Sequence, residues 1–488
     1  MAERRPELAG AVRREQDPAW AANQLARALL ADELDRSWIV RLPADEQRTA
    51  LAGTPRRLEI AEALATEVLA DHPSSWEAAL VIGGARYLRV ARRLENEPRG
   101  IDYWERPLLL ARELGPGRLD PERLLAAAYV SQWASLDGAQ RERAPEILRS
   151  ALRHQEVFDS LIEPWLRVAP SRSVAFSAIP EAARAWSRLE AIYARREEWA
   201  RVSEARSRWY GATRTELEAQ AEAGRRRIRT GDSEGALRLF AQVARNTPRE
   251  ASFGSLLSGV IVAAPEGWTD RATAESLRQW LTWAVERSIV GRPALEPHAI
   301  ARLIHDLELP PALAAAAALL TGQEERATFH ERRSDPAPAP EWLPYLVLRS
   351  AALAERSRTD AVRYLERVPP SLRQDPLVRL ARARLDPGNP PPPAWQASGE
   401  GQRLALIAAT PAQGLELRFA SRPAGSLGGS LGGSVEIRLD GRLLETVAHE
   451  PGARVSIRAE IGAGPHLVEL VHVAGAPAQP GAVSLLHG

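Results

Sequence analysis

The chain contains no cysteine, which excludes disulfides, thiolate nucleophiles and cysteine-bound metals together. It contains no lysine either, so all 64 basic side chains are arginine. Alongside abundant alanine and leucine, this bias fits a GC-rich bacterial genome, and it supplies the residue best shaped for forked pairing with carboxylates. Net charge is nearly absent, since 63 acidic residues leave a balance of +1. That balance gives no general attraction to nucleic acid or to an anionic membrane, local patches aside, and the expectation is no nucleic-acid partner and no direct membrane insertion. No stretch approaches the ~20 apolar residues of a membrane helix. The opening MAERRPELAGAVRREQDPAW has no apolar signal-peptide core. The expected location is therefore the cytoplasm, without membrane insertion, or the envelope if an N-terminal anchor has been removed.

What is present describes a folded protein. A length of 488 residues exceeds one core, and 45% hydrophobic with 26% charged residues is ordinary for globular chains. Aromatics divide the chain: 13 of 14 tryptophans and all seven tyrosines precede residue 390, and beyond 398 only Phe419 is aromatic. Between the two parts runs DPGNPPPPAWQASGEG, residues 386–401. Its four consecutive prolines, Pro390 to Pro393, favour an extended spacer and forbid helix. Residues 1–385, 386–401 and 402–488 are accordingly read as a helical part, a proline-rich linker and a β-rich part.

Before the linker, apolar residues recur at three- and four-residue spacing, as in RRLEIAEALATEVLADHP and ATAESLRQWLTWAVERS. Pro, Gly and Asp punctuate the ends. Many modest helices with short breaks predict stacked antiparallel pairs. The sharpest internal period is 34 residues, with starts near 183, 217 and 251. In the first repeat, 183–216, Trp186, Leu189 and Tyr193 share one helical face. In the second, 217–250, Ala223 and Gly224 fill small positions, and Ala236, Phe240 and Val243 precede Pro248. Partial matches recur at Ala61, Ala65, Val68 and Pro73, at Trp104, Leu108, Ala111 and Pro116, and at Ala361, Leu365, Val368 and Pro369.

This is the W-x2-L-G-x2-Y … A-x3-F … P pattern, and the region resembles tetratricopeptide repeats. It departs from the pattern where Glu190 replaces the glycine, Arg227 the tyrosine and Arg206 a large apolar residue. An irregular helical domain rich in alanine is the alternative. The resemblance implies a superhelix with a concave face that binds a peptide or subunit. Its ligand-facing positions fall on Arg184, Ser187, Ala191, Ala194 and Arg195, then on Glu218, Ala221, Arg225, Ile228 and Arg229. Four arginines against Glu218 imply a basic groove for an acidic peptide or a terminal carboxylate. The alternative is that the run GRRRIRTG is a solvated, charge-rich helix end.

After the linker the period changes to two. RLALIAA, GLELRFA, SVEIRLDG, RLLETVAH, ARVSIRAEI, PHLVELVHV and AVSLL predict a sandwich of about seven strands. Val435, Ile437 and Leu439 face one way, Glu436 and Arg438 the other, and Asp440-Gly441 marks a tight hairpin. The order Asp440, Gly441, Gly464, His466 resembles PEGA-type modules of bacterial envelope proteins. The segment 424–434, AGSLGGSLGGS, reads as a loop. Sugar sites stack rings on tryptophan or tyrosine, which this part lacks, so an adaptor role is favoured over glycan binding.

Motifs for chemistry fail on context. Gly428-Gly429-Ser430-Leu431-Gly432 matches G-x-S-x-G but opens a strand, whereas a nucleophile elbow joins a strand to a helix. His298 and His305 are seven apart, about 10 Å along a helix and too far to share a metal. The expectation is a mainly α chain, a tetratricopeptide-like solenoid followed by a small all-β sandwich. It is expected to be a protein- or peptide-binding scaffold with no cofactor, no metal and no catalytic site. A glycan-binding accessory protein is the alternative.

Overall fold

The computed structural model describes residues 18–36, 51–94, 99–289, 294–333, 340–386, 395–398, 401–408, 410–420, 432–475, 478 and 480–486. The chain forms two compact units, Met1–Glu181 and Ala182–Gly488.

The described part of the first unit is helical. Its long members are α1 (Pro18–Asp35), α2 (Thr54–Asp71), α3 (Trp76–Ala91) and α4 (Asp102–Leu114). They are followed by α5 (Leu119–Ser131), α6 (Gly138–Ala151), α7 (Gln155–Val168) and the short α8 (Arg172–Ser177). Starts are set locally: Ser75 accepts from Ala78 N at the head of α3, and Asp137 with Gln140 forms a capping box on α6. The partial repeat positions Ala61, Ala65, Val68, Trp104, Leu108 and Ala111 are all buried. Buried Glu33 fastens the first helices by accepting from Thr54 Oγ1 at 3.0 Å, Arg57 Nη1 at 3.2 Å and Arg92 Nη1 at 2.8 Å.

The second unit opens with α9 (Ala183–Arg195), α10 (Trp199–Arg229), α11 (Ser233–Asn246), α12 (Gly254–Ala263) and α13 (Arg271–Ile289). It continues through α14 (Pro297–Asp306), α15 (Pro311–Leu320), α16 (Glu324–Arg333), α17 (Leu343–Ala354), α18 (Arg358–Glu366) and α19 (Pro376–Leu385). Trp186, Leu189 and Tyr193 of α9 are buried, as are Ala236, Phe240 and Val243 of α11. Gly224 is where α10 meets α11: a Cβ there would lie 2.7 Å from Phe240 Cε1. Small residues let the helix axes approach, as the repeat pattern requires.

The 34-residue register expected a break near 217, and here the structure differs. Helix α10 runs unbroken for 31 residues, about 46 Å at the α-helical rise. The reason is local. No proline lies between 199 and 229, and Gly211 and Gly224 each cost only about 1 kcal/mol in a helix interior.

The β-sandwich belongs to the same compact unit as these helices. Its described strands are β1 (Gln396–Ser398), β2 (Gly401–Ala408), β3 (Ala412–Phe419) and β4 (Gly433–Leu439), then β5 (Arg442–His449), β6 (Arg454–Ile461), β7 (Gly464–Gly475) and β8 (Pro480–Leu486). One antiparallel sheet has the order β1-β2-β7-β4-β5 and the other β6-β3-β8. The short β1, paired to the start of β2, was not among the expected strands. Inner faces supply a core that includes Leu404, Leu415, Leu417, Phe419, Val435, Ile437, Val468 and Leu470. Leu439 pairs with Arg442 across the two-residue turn Asp440-Gly441, whose φ values of 50° and 80° suit a type I′ hairpin. The fold class is thus paired helices followed by a small all-β sandwich. Pro390 to Pro393 and most of 424–434, with the G-x-S-x-G match, lie outside the described residues.

Candidate functional site

Alternation along β4 places Val435, Ile437 and Leu439 in the sandwich core and turns Ser434, Glu436 and Arg438 to the opposite face. All three are buried. Helix α10 lies there, presenting Ser203, Arg206 and Tyr210 at i, i+3 and i+7, along one stripe. Ser203 Oγ lies 2.8 Å from Ser434 Oγ. Arg206 Nε and Tyr210 OH both donate to Glu436 Oε1, at 3.0 and 2.8 Å. Arg438 donates to Glu436 Oε2 through Nη2 at 2.5 Å, and through Nη1 to the Arg249 carbonyl at 2.9 Å.

A second ion-pair centre forms on the adjacent strands. Glu469 of β7 accepts from Arg287 of α13 and, at 2.9 Å, from Arg403 Nε of β2. Arg403 Nη2 reaches Glu286 Oε2 at 2.9 Å. Arg287 also lies over the Trp283 ring, 5.1 Å from its centroid, and packs its aliphatic stem on Gly441. A Cβ on Gly441 would sit 2.4 Å from Arg287 Cδ.

Electrostatics fix the charge states. Burial alone would raise the Glu436 carboxyl, but Arg438 and Arg206 outweigh it and hold the group below its ordinary range. Burial likewise opposes ionisation of Glu469, and Arg287 and Arg403 overcome it. Burial, with Glu436 alongside, pushes the Tyr210 hydroxyl up. Burial also raises the Glu190 carboxyl, against the opposing pull of Arg206.

Between these two centres lies a cleft of about 830 Å³, walled by α10, α11 and α13 on one side and β2, β4 and β7 on the other. Among the described residues, six arginines and three glutamates line it, an excess of three positive charges. Its aromatic faces are largely taken: Trp280 and Trp283 are buried, and Arg206 covers the Trp209 ring at 4.5 Å. Gln279 and Thr282 are exposed along the wall.

The residues expected to line a concave groove are not among those lining this cleft. Arg184 and Arg195 are exposed near opposite ends of α9, about 16 Å apart along its axis. Glu218 pairs with Arg214 at 2.9 Å. Glu222 draws Arg225 and Arg229 together at 3.3 and 2.9 Å. These local pairs offset part of the positive charge that sequence assigned to the groove. His298 is exposed, and exposed His305 pairs with Asp306 at 3.0 Å. In the PEGA-like motif, Asp440 accepts from Leu467 N at 2.8 Å and contacts His466 Nδ1 at 2.7 Å, which ties the hairpin to β7. Among the described residues no helix is long and apolar enough to cross a membrane.

No family model matches the chain, and no curated protein does. Solved structures that match include the human IFIT1 dimer with PPP-AAAA and the same dimer with m7Gppp-AAAA. Each is 15% identical, covering 59% of this chain and 70% of that chain at a TM-score of 0.16. A likeness of this size carries no argument about what this chain binds. One expectation is nevertheless corrected. Near-zero net charge was read as excluding nucleic acid, whereas the described lining of the cleft holds more arginine than glutamate. Net charge sums the whole chain and is blind to a local excess such as the one in the cleft. The exclusion is withdrawn.

Proposed function

We propose that the chain is a non-catalytic binding scaffold, tetratricopeptide-like in its helices, whose partner enters the cleft between α10, α11, α13 and the five-stranded sheet. The observation that carries this reading is the excess of arginine over carboxylate lining one open cleft. Two buried ion-pair centres hold its walls together, so the partner meets a surface formed in advance, which lowers the ordering cost of binding. The titratable groups there also suit binding better than turnover. A general acid or base works best with its pKa near the working pH. Glu436 and Glu469 are instead held low and Tyr210 high, and neighbours take up both Glu436 oxygens and the Tyr210 proton.

A photo-crosslinking residue at Thr282, on the exposed cleft wall, tests this in the full chain. The expected result is a discrete partner captured from Thr282 and not from Arg356, an exposed position outside the cleft. Equal capture at both positions, or no capture at Thr282, removes the proposal.

A further inference from the structure

The two ion-pair centres differ in how completely they are bonded, and the difference indicates what the cleft takes. This step rests on the scaffold reading above. Glu436 receives Arg206, Tyr210 and Arg438, and both its oxygens are used. The other centre is incomplete. Arg287 is 2% exposed, yet among the described residues its Nε and Nη1 have no partner, and Glu469 leaves only Oε2 unpaired. Buried polar groups without partners are costly, so groups in this state call for something to complete them. Arg403 spends Nε on Glu469 and Nη2 on Glu286, which leaves Nη1 for a further acceptor on a side chain that is 20% exposed. Arg287 and Arg403 already converge on the same Glu469 oxygen, so their remaining nitrogens share one neighbourhood.

Donors therefore outnumber acceptors at this end, and the missing group is an acceptor with forked geometry. Arginine meets carboxylates through paired, roughly parallel hydrogen bonds, and every acidic partner already seated in these centres is a carboxylate. We infer that the Arg287–Arg403 end of the cleft binds a carboxylate of an acidic peptide segment. The remaining volume and the amide and hydroxyl groups of Gln279, Thr282 and Gln402 serve the peptide backbone. A single-stranded nucleic acid is the less suited occupant. Such ligands gain much of their affinity by stacking bases on open aromatic faces, and the faces here are buried or covered by Arg206.

The test titrates the full chain with fluorescein-labelled, amidated hexaglutamate and follows anisotropy, with hexaglutamine and oligoadenylate as parallel probes. Hexaglutamate should bind, weaken as salt rises, and be displaced by acetate more readily than by inorganic phosphate; hexaglutamine should not bind. Gln279→Glu, an exposed near-isosteric change, should weaken hexaglutamate roughly tenfold by adding a competing carboxylate. Arg287→Lys keeps the charge beside Glu469 but removes the fork, and it should weaken binding further while circular dichroism stays unchanged. Oligoadenylate binding as tightly as hexaglutamate, phosphate displacing better than acetate, or indifference to Gln279→Glu would each overturn the inference. Failed hexaglutamate binding with crosslinking at Thr282 intact would remove the carboxylate assignment alone; loss of both removes the scaffold reading as well.

Discussion

Arg206 and Glu436, 230 positions apart, meet at 3.0 Å across the boundary between α10 and the five-stranded sheet. Arg438 closes the same carboxylate from the sheet side. The contact joins the helical and β parts through buried charge, beside an apolar seam in which Ala405 and Leu467 pack into the helical core.

Buried pairs of this kind are expensive to break from one side. Glu436→Gln leaves two guanidinium groups facing each other with little compensation, and it should destabilise the second unit by about 3–5 kcal/mol. Urea denaturation followed by tryptophan fluorescence reads this directly. Adding Arg206→Met should recover part of the loss; two purely additive losses would contradict the pairing.

Acid should unlock the same boundary. Folded Glu436 and Glu469 titrate below their ordinary value of 4.5, so the folded state binds fewer protons than the unfolded one in that range. Their contribution is fully present above 4.5 and fades as pH falls through the folded values. Stability measured from neutral pH down into that window should drop steeply. Glu436→Gln with Glu469→Gln should flatten the slope.

Gly441→Ala addresses the hairpin. Its φ of 80° is in the left-handed region, which costs a residue with a Cβ about 1–2 kcal/mol, and the new methyl would meet Arg287. The expected outcome is lower thermal stability together with weaker hexaglutamate binding, because Arg287 must move. Unchanged affinity would show that Arg287 does not face the ligand.

Gly224→Ala sets helix propensity against packing. Alanine favours the helix by about 1 kcal/mol, whereas overpacking against Phe240 costs about 1–3 kcal/mol. The net effect in thermal unfolding should be destabilising. A stabilised variant would mean that α10 and α11 part without cost.

Much of the architecture was legible beforehand, because helix and strand periods survive in single sequences. Trp186, Leu189, Tyr193, Ala236 and Phe240 are buried as their spacing implied. The continuity of α10 was not, since a repeat pattern specifies which residues face inward and says little about whether the chain turns between them. The cleft was missed for a related reason. Glu436, Arg438, Arg403 and Glu469 occupy the polar phase of alternating strands, and that phase ordinarily means solvent. A signal did exist: Glu190 and Arg206 are two of the three departures from the repeat pattern, and they lie 3.6 Å apart beside Glu436. Read together, departures from a pattern mark where the fold serves something besides its own packing.

Because α10 is one uninterrupted rod, its two halves share a single rotational phase. Ser203, Arg206 and Tyr210 must point at the sheet while Gly224 points at Phe240. A single residue inserted near Gly211 would turn everything beyond it by about 100° and set the halves out of step. Length changes that a loop between repeats would absorb are therefore forbidden along this helix. Drift in this chain should be confined there to substitutions, with insertions and deletions falling in the breaks between elements.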